Sequence, residues 1–133
     1  MKREWVRYFV QQLKSLVEDD AVVIYEEDVC EKMQDIFDTI PVKYNMNIIA
    51  EEMFGGEAYY FKLVGNNNKE EFMELANNLE YLLRNNMVVV KSYTDFNNIC
   101  NVIGRLGIKH KREVETNFAY ERIWVIGIDR EWK

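Results

Sequence analysis

The chain has 133 residues, 48% of them apolar and 14% aromatic, which is a globular composition and excludes an intrinsically disordered one. A formal charge of −6 disfavours general attachment to nucleic acid or to anionic membrane. Two cysteines, Cys30 and Cys100, have neither metal-ligand spacing nor the density of a secreted disulfide framework, so both are expected as reduced thiols.

The charge is uneven. Residues 1–66 hold 7 Lys and Arg against 13 Asp and Glu, whereas 67–133 hold 10 of each. The opening MKREWVRYFVQQLKSLVEDD has no unbroken apolar stretch and no small-residue cleavage site, so it does not read as a signal peptide. No stretch approaches a membrane span, and the expected address is the cytoplasm. Asparagine pairs and triplets at 66–68, 77–78, 85–86 and 97–98 fit AT-rich coding, as in many mobile or viral genomes.

In chain order, Trp5, Phe9, Leu13, Leu16 and Val17 fall on one helical face and predict an amphipathic helix. AVVIY (21–25) follows as a short buried strand. Asp28, with Glu31 three residues on, predicts a capping box ahead of a helix through Val29, Met33, Ile36, Phe37 and Ile40. Pro41 closes that helix. The segment 42–50 alternates as Val42, Tyr44, Met46, Ile48, Ala50, although Met46, Ile49, Ala50 and Met53 would also make a helical face. Gly55-Gly56 mark a turn before the strand EAYYFKLV.

Asn68 and Glu71 form another capping pair, opening a helix over 69–85 that turns Phe72, Leu75, Ala76, Leu79, Leu82 and Leu83 inward. MVVVK (87–91) is a strand. A short helix runs from Thr94 through Leu106 to a Gly107 cap. IKHKREVET and YERIWVIGID end the chain as a hairpin.

Residue n matches residue n+66 in apolar pattern through four elements. Leu13 meets Leu79, Val22-Val23-Ile24 meets Val88-Val89-Val90, Met33 meets Ile99, and Ile40 meets Leu106. Dropping two residues at the Gly-Gly turn aligns EAYYFKLVG with ERIWVIGID. The alternation of 42–50 recurs at 108–116, whereas the competing helical face does not, which favours strands. The expected fold is α+β: two pseudo-symmetric helix–strand–helix–strand–strand repeats, 1–66 and 67–133, pooling about six strands into one sheet of one compact unit. As topology, strand–helix–strand–strand written twice resembles the module of the gyrase-inhibitor-like family of ligand-binding proteins. The resemblance implies a groove between the halves that holds small or flexible partners.

Several residues invite a chemical reading. Glu26-Glu27-Asp28 ends a strand, where metal-binding carboxylates often sit, but neighbours point in alternate directions and the second half has Ser92, Tyr93 and Thr94 there. No metal site is expected. His110 is the sole histidine, which excludes multi-histidine zinc sites. The aromatics Tyr59, Tyr60, Phe61 and Trp124 are candidates to line a ligand or partner groove, against the plainer reading that they are core.

Arg105, Lys109, Lys111 and Arg112 form the one basic cluster and are the nucleic-acid candidates. DFNNICNVIGRLGIKHKREVETNF also resembles the second helix, turn and recognition helix of a helix-turn-helix protein, with Val114 one residue late for the usual spacing. That resemblance implies an alternative fold, a tandem winged helix that binds DNA.

Phosphate loops, nucleophile elbows and dinucleotide fingerprints are missing from the sequence. The leading expectation is a small binding or regulatory protein without cofactor or catalytic residues, an accessory protein of a mobile element or virus. Its partner is expected to be another protein or a second copy of itself. The alternative is the DNA-binding regulator using Lys109, Lys111 and Arg112.

Overall fold

The computed structural model describes residues 2–40, 42–51 and 56–133. The first amphipathic stretch forms α1 (Arg3–Asp19), which buries Val6, Phe9, Val10, Leu13, Leu16 and Val17. Each such side chain stabilises the fold by about 1.5–3 kcal/mol. α1 stops where Asp20 turns left-handed, φ 62°, a conformation that a short polar side chain tolerates. Strand β1 (Ala21–Ile24), helix α2 (Glu27–Thr39) and strands β2 (Tyr44–Glu51) and β3 (Gly56–Leu63) complete the first half. The second half repeats the order as α3 (Lys69–Asn85), β4 (Met87–Val90), α4 (Tyr93–Arg105), β5 (His110–Thr116) and β6 (Arg122–Ile128). Residues 44–51 and 110–116 are therefore strands, as their shared alternation predicts.

Local signals differ in how far they hold. Asn68 caps α3 by accepting from the Glu71 amide at 3.1 Å, and its own amide group donates to Glu71 Oε2 at 3.3 Å. Asp28 does not cap α2. The cap position is Glu26, and Asp28 lies in the first turn, where its Oδ2 accepts from Trp5 Nε1 at 2.8 Å. α4 starts at Tyr93, one residue before the expected Thr94, because Ser92 Oγ accepts from the Asp95 amide. Gly107, φ 71°, ends the turn after α4 as predicted. Pro41 and Gly55 fall outside the described residues; Ile40, next to Pro41, is extended at φ −100°, ψ 137°.

The two halves share detail as well as order. Asp20 and Asn86, 66 residues apart, are both left-handed, and their carbonyls accept from Leu63 and Ile128 respectively, each at 2.9 Å. Both sheets are antiparallel, ordered β1-β3-β2 and β4-β6-β5. Ile24 pairs with Tyr59 and Val90 with Trp124, so β3 and β6 correspond at an offset of 65. One residue is lost in the second hairpin, where the sequence alignment drops two.

The strands form two sheets of three and not one of six. The halves meet through their helices, which pack α1 on α3 and α2 on α4 and hold the sheets apart. α1 and α3 run antiparallel. Arg3, at the start of α1, donates from Nη1 to Leu83 O at the end of α3, and Lys69, at the start of α3, is ion-paired with Asp20 at the end of α1. Between them Lys14 Nζ meets Glu80 Oε2 at 3.5 Å, a pair of residues 66 apart that straddle the pseudo-twofold axis. The buried residues of both halves belong to one continuous core. No described helix is long and apolar enough to cross a membrane.

Phe37 joins the halves through aromatic packing, with Phe61 at 6.2 Å, Tyr44 at 5.0 Å and Phe72 of α3 at 5.8 Å between ring centroids. Phe37→Ala is expected to cost about 3–5 kcal/mol. Urea unfolding followed by circular dichroism and by tryptophan fluorescence should show one shared transition moved to lower urea. Two separated transitions would contradict the common core.

Candidate functional site

Each sheet turns one face to the helices. On that inner face lie Val22, Tyr44, Met46, Phe61 and Leu63 in the first half, and Val88, Val90, Ile126 and Ile128 in the second. Strand alternation sends the intervening residues to the outer face.

The groove candidates separate. Phe61 is fully buried core. Tyr59 and Trp124 occupy equivalent, half-buried positions, but on different sheets. Trp124 packs with Tyr93 at 6.0 Å and Phe96 at 6.2 Å. Burial, with the carboxylates of Glu27 and Glu57, pushes the Tyr59 phenol above its usual range.

The basic cluster separates too. Arg105 is ion-paired with Asp35 at 3.3 Å, and Arg112 Nε donates to His110 Nε2 at 2.9 Å. β5 alternation puts Arg112 on the inner face, opposite Ile126, and Lys111 on the outer face, opposite Gly127. Because residues 110–116 are strand, they supply no recognition helix, and the tandem winged helix is excluded.

The acidic triplet has a structural use. Glu26 Oε2 accepts from the Tyr8 hydroxyl at 2.7 Å, while Asp28 holds Trp5, so α1 pins the β1–α2 junction. No group of metal-ligating side chains is found among the described residues. Burial pushes the thiols of Cys30 and Cys100 up, which makes them poor nucleophiles.

The outer face of β4-β6-β5 leaves apolar groups uncovered. Met87 is 49% exposed and Val89 46%, and Ile123 and Val125 beside them are half-buried. Lys111, Glu113 and Glu115 run along β5 on this face. At one end, Asn86, Met87, Val125, Gly127 and Arg130 line a hollow of 330 Å³.

At the other end, the β5–β6 hairpin tip presents Phe118 and Tyr120, both essentially fully exposed. That tip is built. Asn117 Oδ1 accepts from the amides of Ala119 at 3.0 Å and Glu121 at 2.9 Å, and Tyr120 is held at φ 60°, strained for an aromatic residue.

These residues escaped the sequence reading. MVVV is apolar at every position, so its two faces are indistinguishable without a pairing register. The available signal for the tip was two aromatics in a five-residue link between strands.

No family model matches this chain, and no curated protein matches it. Among solved structures it is similar to I-DmoI in complex with DNA and Mn, at 11% identity over 93% of this chain and 90% of that one, with a TM-score of 0.33. A complex of I-DmoI with DNA and Ca gives the same identity and TM-score over 94% and 84%. At that score the likeness decides neither fold nor function.

Tyr8 offers a check on the pinned junction. Burial first, then the hydrogen bond to Glu26, raise its phenol to about 12. The neutral phenol is thus favoured in the folded state, and its stabilising effect is complete below pH 10 and lost as pH rises from 10 towards 12. Absorbance titration at 295 nm should show a late phenolate step near pH 12 that disappears in Tyr8→Phe. An unchanged titration in that variant would refute the assignment.

Proposed function

We propose that the protein works by binding another protein, through the outer face of β4-β6-β5 and the aromatic tip at its end. The observation that carries this reading is the display of Phe118 and Tyr120 at the tip of a sheet whose outer face also leaves Met87 and Val89 half-exposed. Exposed aromatics on a preorganised loop are the usual anchors of protein interfaces, because each buries a large area at small cost in conformational entropy. An accessory or regulatory role in a mobile element or virus, exercised in the cytoplasm without cofactor or catalysis, fits such a surface.

Contact with nucleic acid is the second reading. It is favoured by Lys109 and Lys111, which are exposed and have no ion-pair partner among the described residues. Glu113 and Glu115 on the same strand and the charge of −6 weigh against it.

Affinity capture with the tagged chain, compared with Phe118→Asp/Tyr120→Asp, tests the first reading. A specific protein should be retained by the parent and lost by the variant, with unfolding midpoints alike. Retention of the same protein by both would overturn the reading. Salt-sensitive DNA binding abolished by Lys109→Glu/Lys111→Glu would support the second.

A further inference from the structure

The charge on the β4-β6-β5 outer face is arranged end to end, and this names a partner. Lys111 and Arg130 line the hollow and outnumber the one carboxylate there, Glu113, which lies towards the middle of the face opposite Val125. Glu115 and Glu121 lie at the end of the tip, with Glu115 opposite Ile123 and Glu121 joined to Asn117. The apolar stripe of Met87, Val89, Val125 and Ile123 runs between them. One end projects two aromatic rings and the other is concave. A surface with a cationic hollow at one end and an acidic aromatic projection at the other is complementary to itself when turned through 180°.

We infer that the occupant of this face is a second copy of the chain, packed sheet on sheet about a twofold axis lying across the strands near Val125. This rests on the protein-binding reading above and identifies its partner. The strands of the two copies then run in opposite directions, and each tip reaches the hollow of the other copy. An axis parallel to the strands would stack the cationic end of one copy on the cationic end of the other, so the charge layout selects the antiparallel pair. With Val125 near the axis, Lys111 of each copy faces Glu115 of the other, and Glu113 faces its own counterpart.

The first half does not share the device. At the positions of Lys111 and Glu113, β2 carries Asn45 and Asn47, and Lys62 occupies the position of Gly127. The self-complementary pattern belongs to the second half alone. The face is small, about 24 Å along seven-residue strands and about 14 Å across three of them, which puts the pair in the weak, concentration-dependent class.

Sedimentation velocity of the purified full chain, over a concentration series reaching the millimolar range, reads the association directly. The expected result is a reversible shift from the 16.0 kDa monomer to twice that mass. Glu115→Lys/Glu121→Lys and Lys111→Glu/Arg130→Glu should each weaken association by about tenfold or more, and an equimolar mixture of the two should restore it. Glu113→Gln should strengthen it by removing the like-charge contact.

All these side chains are exposed, so circular dichroism should show every variant folded. A parent chain monomeric throughout, or a mixture that stays monomeric, would overturn the second copy as partner. If that monomer still captured a different protein in a tip-dependent way, the self-association would fall and the binding reading would stand. Association indifferent to both the tip and the charges would remove this face from either role.

Discussion

The architecture depends on two antiparallel helices. α1 and α3 lie against each other across a pseudo-twofold axis, and polar contacts hold them in register at three points: Arg3 on Leu83 O, Lys14 on Glu80, and Lys69 on Asp20. The exposed ion pairs contribute little energy. Their value is in fixing which residues of one helix face which of the other, while burial of Leu13, Leu16, Leu79 and Leu82 supplies the stabilisation. Arg3 does more than the other two pairs. It also donates to the carbonyls of Asp129 and Trp132 and lies 4.9 Å over the Trp132 ring, which ties the C-terminal segment to the start of the chain.

Because the halves join through helices, both sheets keep an uncovered face. A pooled six-stranded sheet would have used its inner edges for pairing. Here each sheet keeps both its edges, β1 and β2 in the first half and β4 and β5 in the second, together with its outer face. The halves differ in how they use this. In the first, Trp5 and Tyr8 reach over the β1–α2 junction to Asp28 and Glu26. In the second, the equivalent residues of α3 are Glu71 and Glu74, Ser92 caps α4 locally, and β5 carries the charges that β2 lacks.

Much of this fold is legible in the residues, and the reasons are physical. Helical faces such as Phe72, Leu75, Leu79 and Leu82 recur at three and four, and a repeat of 66 puts two weak patterns in support of one another. The repeat also settled 42–50 and 108–116, where one segment alone was ambiguous. Sheet count was not legible, because edge strands carry no mark of which neighbour they pair with. The site was less so. RLGIKHKR is a dense basic patch on paper, yet a strand splits it between faces and Asp35 takes Arg105. Phe61 reads like Tyr59 two residues before it, and only the structure shows that Phe61 packs on Phe37 of α2 while Tyr59 pairs with Ile24 at the end of β1.

Native-state hydrogen exchange on Leu79→Ala tests the helix-centred account most directly. The substitution lies in α3, in the second half, and is expected to cost about 2–5 kcal/mol. If α1 and α3 hold one core, amide protection in β3 and in β6 should fall by the same free energy. Loss of protection confined to β4, β5 and β6, with β3 unchanged, would contradict it.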